Sequence, residues 1–301
     1  MTTEAPKIYR PPNAEVMSEV TDPILVRLIL QAPAGKGKTH SALTFPNPTV
    51  LDFNKGMEGH RHRTDVIRVR MWDDKLVDKY APRAGVINPA NRKDAIINWL
   101  LQEGRKHTKD QTIVVDSLTE VNSSFHVQYE AEGGAPISHK TGKPDKYDQW
   151  AKKKTWYTCL MDVMKALPCN CIIIGHELPE RGEDGEPTGR MKLMIEGGGG
   201  DKLVGDSTDC FRCHAVAKPI SEAAVQPFMT KWGIRNKEEY EYVINSTPKD
   251  HMNVYFWQVY PDEKFELKTQ TLVGAPKFVV ADYKSFLKYR RPVGQEVVPT
   301  K

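Results

Sequence analysis

The 301-residue sequence predicts an α/β fold with a mainly parallel central sheet flanked by helices. Three observations carry this. Apolar runs of strand length alternate with stretches of helical periodicity over residues 24–175. The first run leads through a glycine-rich turn into a helix-like segment. Two later runs end on Asp116 and on His176-Glu177. Polar groups therefore gather at one edge of the sheet, where open α/β sheets bind their ligands.

In chain order, residues 1–22 are polar, Pro-containing and aperiodic, and read as an extended arm. Ile24–Leu30 is a buried-strand run, Gln31–Thr39 the turn, and His40–Phe45 a helix stopped by Pro46. Thr49–Phe53 is a second strand, and Val66–Met71, alternating apolar with basic, a half-exposed one. Asn91–Gly104 has helical periodicity, with Gly104 in the position of a C-cap. Thr112–Val115 is a strand ending on Asp116, and Leu118–Ala131 a helix. Gly133–Lys146 reads as a loop, Gln149–Leu167 as a long helix before Pro168, and Cys171–Gly175 as a buried strand. Glu177–Lys202, with seven glycines, reads as a mobile loop. Cys210–Lys218 and Met252–Tyr260 are strands, and Lys284–Arg290 a short helix. The domain reading is an arm (1–22), a core (23–218), an extension of the core sheet (219–290) and a flexible tail (291–301).

Composition narrows the classes. Charge is 43 − 39 = +4, too slight to indicate nucleic acid by itself. Five cysteines form an odd set, which excludes a disulfide framework. Apolar runs fall far short of the ~18 residues of a membrane helix, and Met1–Val20 has no signal core. The expectation is a soluble protein of a reducing compartment, with no membrane partner.

Ala32-Pro33-Ala34-Gly35-Lys36-Gly37-Lys38-Thr39 is a Walker A pattern with Ala32 in place of the first glycine. Its consecutive N–H groups form a nest for phosphate oxygens, and the following helix adds its positive end. Lys38 is placed to reach the β- and γ-phosphates, Thr39 to ligate Mg²⁺, and His40 to close the nest. Asp116, at the end of Thr112-Ile113-Val114-Val115, is the Walker B acid that supports Mg²⁺. ATP and Mg²⁺ are thus the expected cofactors. His176 arrives at the same edge and is a candidate γ-phosphate sensor, with a solvated strand-end histidine the plain alternative.

The order of Walker A, TVLDFNKGMEG, TIVVDSLTEV, a YDQW-containing helix, CIIIGHE and a Gly-rich loop resembles the RecA-like core. In particular it is similar to the short phage-encoded core-only recombinases and single-strand annealing ATPases, over residues 24–218. The resemblance implies a DNA-dependent ATPase with ATP near a subunit interface. It implies single-stranded DNA held by loops of a ring or filament, a phage or host single-strand-binding protein as partner, and the cytoplasm of an infected bacterium. It places a first DNA loop at Gly133–Trp150 and a second at Leu178–Lys202. It also places a catalytic Glu where this sequence has Asn54 in Asp52-Phe53-Asn54. Asn can position a water but cannot take its proton. Glu58, four residues on, is the candidate replacement and Asp52 the other, and hydrolysis is expected to be slow.

Lys140, Lys143, Lys146, Lys152 and Lys153, with His139 and Lys154, are interleaved with Tyr147, Trp150, Trp156 and Tyr157. Cations neutralise phosphates and aromatic faces stack bases, so the lysines are DNA candidates and the tryptophans are assigned to the core. Arg190 and Lys192 are the candidates of the second loop. Cys210-x-x-Cys213 with Cys169 and Cys171 raises zinc, but alternation puts Cys210 and Cys213 on opposite strand faces, which favours buried structural thiols. Arg212 and Lys218 are candidate cations for a neighbour's γ-phosphate. The rival readings are a P-loop nucleotide kinase or packaging-type motor, and a non-hydrolysing ATP-gated DNA-binding scaffold.

Overall fold

The computed structural model describes residues 25–82, 88–131, 146–182, 186–195, 199–265 and 267–290. The arm, the tail and the Gly133–Lys146 loop up to residue 145 lie outside them. The elements in order are β1 (Arg27–Gln31), α1 (Lys38–Ala42), β2 (Pro48–Asp52), β3 (Ile67–Arg70), α2 (Asp74–Tyr80), α3 (Asn88–Gln102), β4 (Thr112–Asp116), α4 (Leu118–Ala131), α5 (Lys146–Lys165) and β5 (Asn170–Gly175). They continue with β6 (Glu177–Arg181), β7 (Pro187–Leu193), α6 (Gly199–Asp206), β8 (Asp209–Ala217), α7 (Glu222–Trp232), α8 (Lys237–Asn245), β9 (Asn253–Gln258), β10 (Lys268–Thr269), β11 (Phe278–Val280) and α9 (Tyr283–Tyr289).

The main sheet runs β11-β9-β8-β1-β5-β4-β2-β3, with β10 also on β8. Strands β8, β1, β5, β4, β2 and β3 are parallel, while β9 and β11 join antiparallel. The fold class is the expected one in its architecture: an α/β core with a mainly parallel central sheet flanked by helices, extended by C-terminal strands. The register levels the carboxyl ends. Gln31 pairs with both Gly175 and Arg212, and Asp116 pairs with Ile174 and Asp52.

Strand alternation divides the interior into two layers. Ile29, Leu51, Ile113, Val115, Cys171, Ile173 and Cys210 face the layer under α2–α6. Leu28, Leu30, Val50, Val114, Ile172, Phe211 and Cys213 face the layer holding Phe45, Trp257 and Phe286. Strands covered on both faces read as continuous apolar runs, which is why they stand out in the sequence. A third cluster sets Phe228 and Trp232 of α7 and Val243 of α8 on Phe256.

Several elements depart from expectation. Helix α3 stops at Gln102, and Gly104 opens a short 3₁₀ turn instead of capping it. A Cβ on Gly104 would lie 3.3 Å from Leu167, so packing accounts for the glycine. Glu177–Lys202 is not a loop: β6 and β7 form an antiparallel hairpin, and α6 follows. Helices α2, α7 and α8 were not anticipated, although α8 has a readable signal. Asn236 accepts from the Glu239 N–H at 2.8 Å, and Glu239 accepts from the Arg235 N–H at 2.9 Å. Gly233, at φ 69°, ends α7 in the left-handed region that glycine adopts freely. Buried Arg27 closes the end of α5, donating to the carbonyls of Lys165 (3.2 Å) and Leu167 (2.7 Å).

Candidate nucleotide-binding site

A cleft of about 320 Å³ opens at the carboxyl edge, lined by the P-loop from Ala34 to His40 and by Asn54, Gly56, His60, Asp116, Ile174, His176, His251 and Tyr255. Gly35 (φ 73°) and Gly37 (φ 82°) take left-handed angles, the reason the loop needs glycine there. Ala32 is fully buried and has no positive φ, so the Cβ that replaces the usual glycine is accommodated. Its carbonyl and that of Pro33 each accept from Lys38 Nζ at 2.8 Å. Burial lowers the Lys38 pKa from its ordinary value, opposed by the nearby Cys213, Asp116 and Glu177.

Thr39 Oγ1 donates to Asp116 Oδ2 at 2.7 Å. Burial pushes the Asp116 carboxyl up, and Asp52 on the neighbouring strand adds to this. A hydroxyl and a carboxylate side by side are hard oxygen donors of the kind Mg²⁺ takes, so these residues fit the metal that a bound triphosphate brings. His176 Nδ1 lies 3.4 Å from Lys38 Nζ. Burial and Lys38 both lower its pKa from the ordinary histidine value, against the Ala32 carbonyl, which raises it. The Thr119 hydroxyl, at the start of α4, accepts from the His176 backbone N–H at 3.1 Å and fixes the residue's position.

The acids near the second strand are arranged differently from one another. Asp52 is fully buried, paired with Arg68 at 2.6 Å, and accepts from the Gly56 N–H at 3.1 Å. Glu58 is bound by Arg68 at 2.8 Å and by Arg61, which hold its pKa low, and it does not line the cleft. Asn54 does line the cleft, and its Oδ1 accepts from the Gly56 N–H at 2.9 Å. Among the described residues, Asp116 is the carboxylate that faces the cleft.

The DNA candidates separate. Lys140 and Lys143 lie outside the described residues, as does the Lys146 side chain. Lys152 is exposed, with Nζ 6.0 Å from the Tyr129 ring centroid. Lys153, expected as a DNA contact, is 1% exposed, with Nζ 3.4 Å from His126 Nε2 and 5.9 Å from the Phe125 ring. Trp156 packs edge-on against Phe125, but Trp150, assigned to the core, is 41% exposed. Arg190 is exposed and Lys192 half-buried, both on β7.

Arg212 does not stand free for a neighbour. Its Nε donates to both Glu177 oxygens, at 2.9 and 3.0 Å, and its guanidinium lies 4.0 Å from the Phe265 ring centroid. Lys218 donates to the Pro248 carbonyl at 2.9 Å. The five cysteines are free thiols, with Cys210 and Cys213 in opposite layers. No group of three or more metal-binding side chains occurs among the described residues. Sequence reasoning missed Gly56, His60, His251, Ile174 and Tyr255 of the lining. His251 and Tyr255 reach the P-loop only through the pairing of β9 with β8, which leaves no local signal.

A P-loop between a parallel strand and a helix, facing a Walker B aspartate two strands away, defines a P-loop nucleoside-triphosphatase. Residues 25–233 match the AAA_24 family, described as an AAA domain, and the chain belongs to that family. The crystal structure of the RadB recombinase is similar at 13% identity and a TM-score of 0.31, over 65% of this chain and 78% of that one. No curated protein matches the chain. Among the described residues no helix is long and apolar enough to cross a membrane.

Proposed function

We propose that the chain is an ATP-binding, slowly ATP-hydrolysing phage recombination protein that binds single-stranded DNA as an oligomer and promotes annealing or strand pairing. The observation that carries this reading is the continuity from β5 into the β6–β7 hairpin. His176, 3.4 Å from Lys38, is followed directly by Glu177, the first residue of a hairpin that bears exposed Arg181 and Arg190. A γ-phosphate drawn to Lys38 meets the root of a hairpin whose Arg181, Arg190 and Lys192 are balanced by Glu177, Glu180 and Glu186, so nucleotide state and DNA contact would share one element through its exposed arginines and not through net charge. The annealing role and the phage origin rest on the motif order.

In this reading the P-loop N–H groups and Lys38 hold the phosphates, and Thr39 and Asp116 hold Mg²⁺, which neutralises charge on the transferred group. Asn54 orients a water without taking its proton. The test is ATP turnover with and without single-stranded DNA, beside Lys38→Ala. DNA-stimulated turnover that Lys38→Ala abolishes supports the proposal. Turnover indifferent to DNA, with no DNA binding, removes it.

One observation favours a second reading, the non-hydrolysing scaffold. Both candidate bases, Glu58 and Asp52, are tied to Arg68. DNA binding that requires ATP without any turnover selects this reading. The kinase reading gains nothing, since Arg181 and Arg190, the arginines a lid would use, do not line the cleft.

A further inference from the structure

The family match ends at residue 233, yet two side chains of the cleft come from beyond it. We infer that the C-terminal extension supplies the nucleobase subsite: Tyr255 on β9 and His251 just before it, with His40 of α1, form a wall on which a nucleotide's base stacks, purine before pyrimidine. The inference rests on the ATP-binding reading and assigns the half of the ligand that the P-loop leaves unaccounted for.

Position comes first. All three residues line the cleft that holds the P-loop. The His40 ring lies 5.0 Å from the Tyr255 ring and 6.3 Å from that of His251. Tyr255 also rests on the phosphate loop itself. A Cβ on Gly37 would fall 2.2 Å from Tyr255 Cδ1 and 2.7 Å from its Cγ, the stiff root of the ring. Gly37 is therefore required twice, for its angle and for this contact. A base on the wall sits beside bound phosphates.

The chemistry of the wall suits a base better than another phosphate. The His40 ring presents a π face beside the tyrosine ring, tilted 41° to it. Every base has a π face to stack on aromatic rings, and the larger purine covers more of them. The wall is also held firmly. Tyr255 pairs with Ala215 of β8, and its carbonyl accepts from the Ala281 N–H at 3.0 Å.

The experiment measures binding of Mg-ATP, Mg-CTP and Mg-tripolyphosphate to the full chain and to Tyr255→Phe, Tyr255→Leu and His251→Ala. Tripolyphosphate reports the P-loop alone and also shows that a variant is folded. The expected result is that Tyr255→Leu weakens ATP about tenfold or more and leaves tripolyphosphate unchanged. Tyr255→Phe keeps ATP affinity, His251→Ala loses part of it, and the wild-type preference for ATP over CTP shrinks in Tyr255→Leu. Equal losses for ATP and tripolyphosphate would overturn the inference, since Tyr255 would then act only through the loop. Unchanged ATP affinity in both Tyr255→Leu and His251→Ala would overturn it too. Failure of the wild type to bind either ligand removes the nucleotide reading, and the base wall with it.

Discussion

Replacing Asp209 with Ala should cost the protein a large part of its stability. Asp209 is fully buried at the start of β8, and its carboxylate gathers five donors. Oδ1 accepts from Thr269 Oγ1 (2.9 Å), Gln270 N (3.1 Å) and Thr271 N (3.2 Å). Oδ2 accepts from Thr208 Oγ1 and Thr271 Oγ1, both at 2.8 Å. Two of the donors have a second acceptor, since Gln270 N also reaches Thr208 O at 3.0 Å and Thr208 Oγ1 reaches Arg27 O at 3.1 Å. The Thr271 N–H, the Thr271 hydroxyl and the Thr269 hydroxyl would be left unpaired. Thr271 is buried, and each of its two unpaired donors costs about 1–3 kcal/mol, so the sum is roughly 2–6 kcal/mol, while the hydroxyl of half-buried Thr269 can turn to water. That compares with a total stability of about 5–15 kcal/mol for a typical domain. Asp209→Asn keeps the shape and one acceptor oxygen, and should lose roughly half as much. The assay is urea unfolding at pH 7 followed by tryptophan fluorescence, with the midpoint and slope compared across the three proteins. An Asp209→Ala midpoint within about 1 kcal/mol of wild type would refute the assignment of this carboxylate as the tie between β8 and the Thr269–Thr271 segment.

Four further outcomes follow from the structure. Glu58→Gln should leave ATP turnover within about twofold, because Glu58 is bound by Arg68 and Arg61 outside the cleft; a loss of a hundredfold in steady-state kinetics would restore it as the base. Lys153→Met should leave single-stranded DNA affinity unchanged, because Lys153 is buried against Phe125 and His126. Arg190→Ala should weaken binding and lower the slope of log affinity against log salt by about one in a fluorescence-anisotropy titration, and the reverse ranking would move the DNA face onto α5. Acid should destabilise the fold through His214, which burial beside Trp232 and Phe278 and the nearby Arg212 push down to about 4. Its ordinary value is 6.5, so between about pH 6.5 and 4 the unfolded chain binds the extra proton. Stability is full above that window and falls on acidification, by on the order of 2 kcal/mol for this group. His214→Gln should flatten urea midpoints over this range, and an unchanged pH slope would show that other groups set it.

What the sequence reveals depends on how far apart the interacting residues lie. The P-loop is legible because its glycines, lysine and threonine are consecutive, and each strand because both of its faces are covered. Asp116 is legible because it ends such a strand. That Glu58 and Asp52 are both tied up is not legible from spacing, since what engages them is Arg68. That residue comes from β3, whose register on β2 sets Asp52 opposite Arg70. Lys153 reads as a solvated cation because lysines on helices usually are; its burial depends on where α4 places Phe125. The β6–β7 segment reads as a loop from its glycines, while its pairing of Glu177 with Leu193 is a relation between two half-exposed strands with weak patterns of their own. Helix α8 is the opposite case, because Asn236 and Glu239, three residues apart, form a capping signal that is local and legible in the sequence.

Strand β8 explains why residues beyond 233 belong to the site and are not an appendage. It pairs in parallel with β1, the strand that launches the P-loop, and antiparallel with β9, which carries Tyr255. Its Arg212 holds Glu177 at the root of the hairpin, and the hairpin's return strand touches Phe265, the ring on which Arg212 lies, through a bridge at Met191. The nucleotide loop, the hairpin and the C-terminal extension are therefore fixed to one buried strand. The Arg212–Glu177 pair is buried, with the Glu177 side chain fully covered, and separating it would leave an uncompensated charge, so the root of the hairpin stays tied to β8.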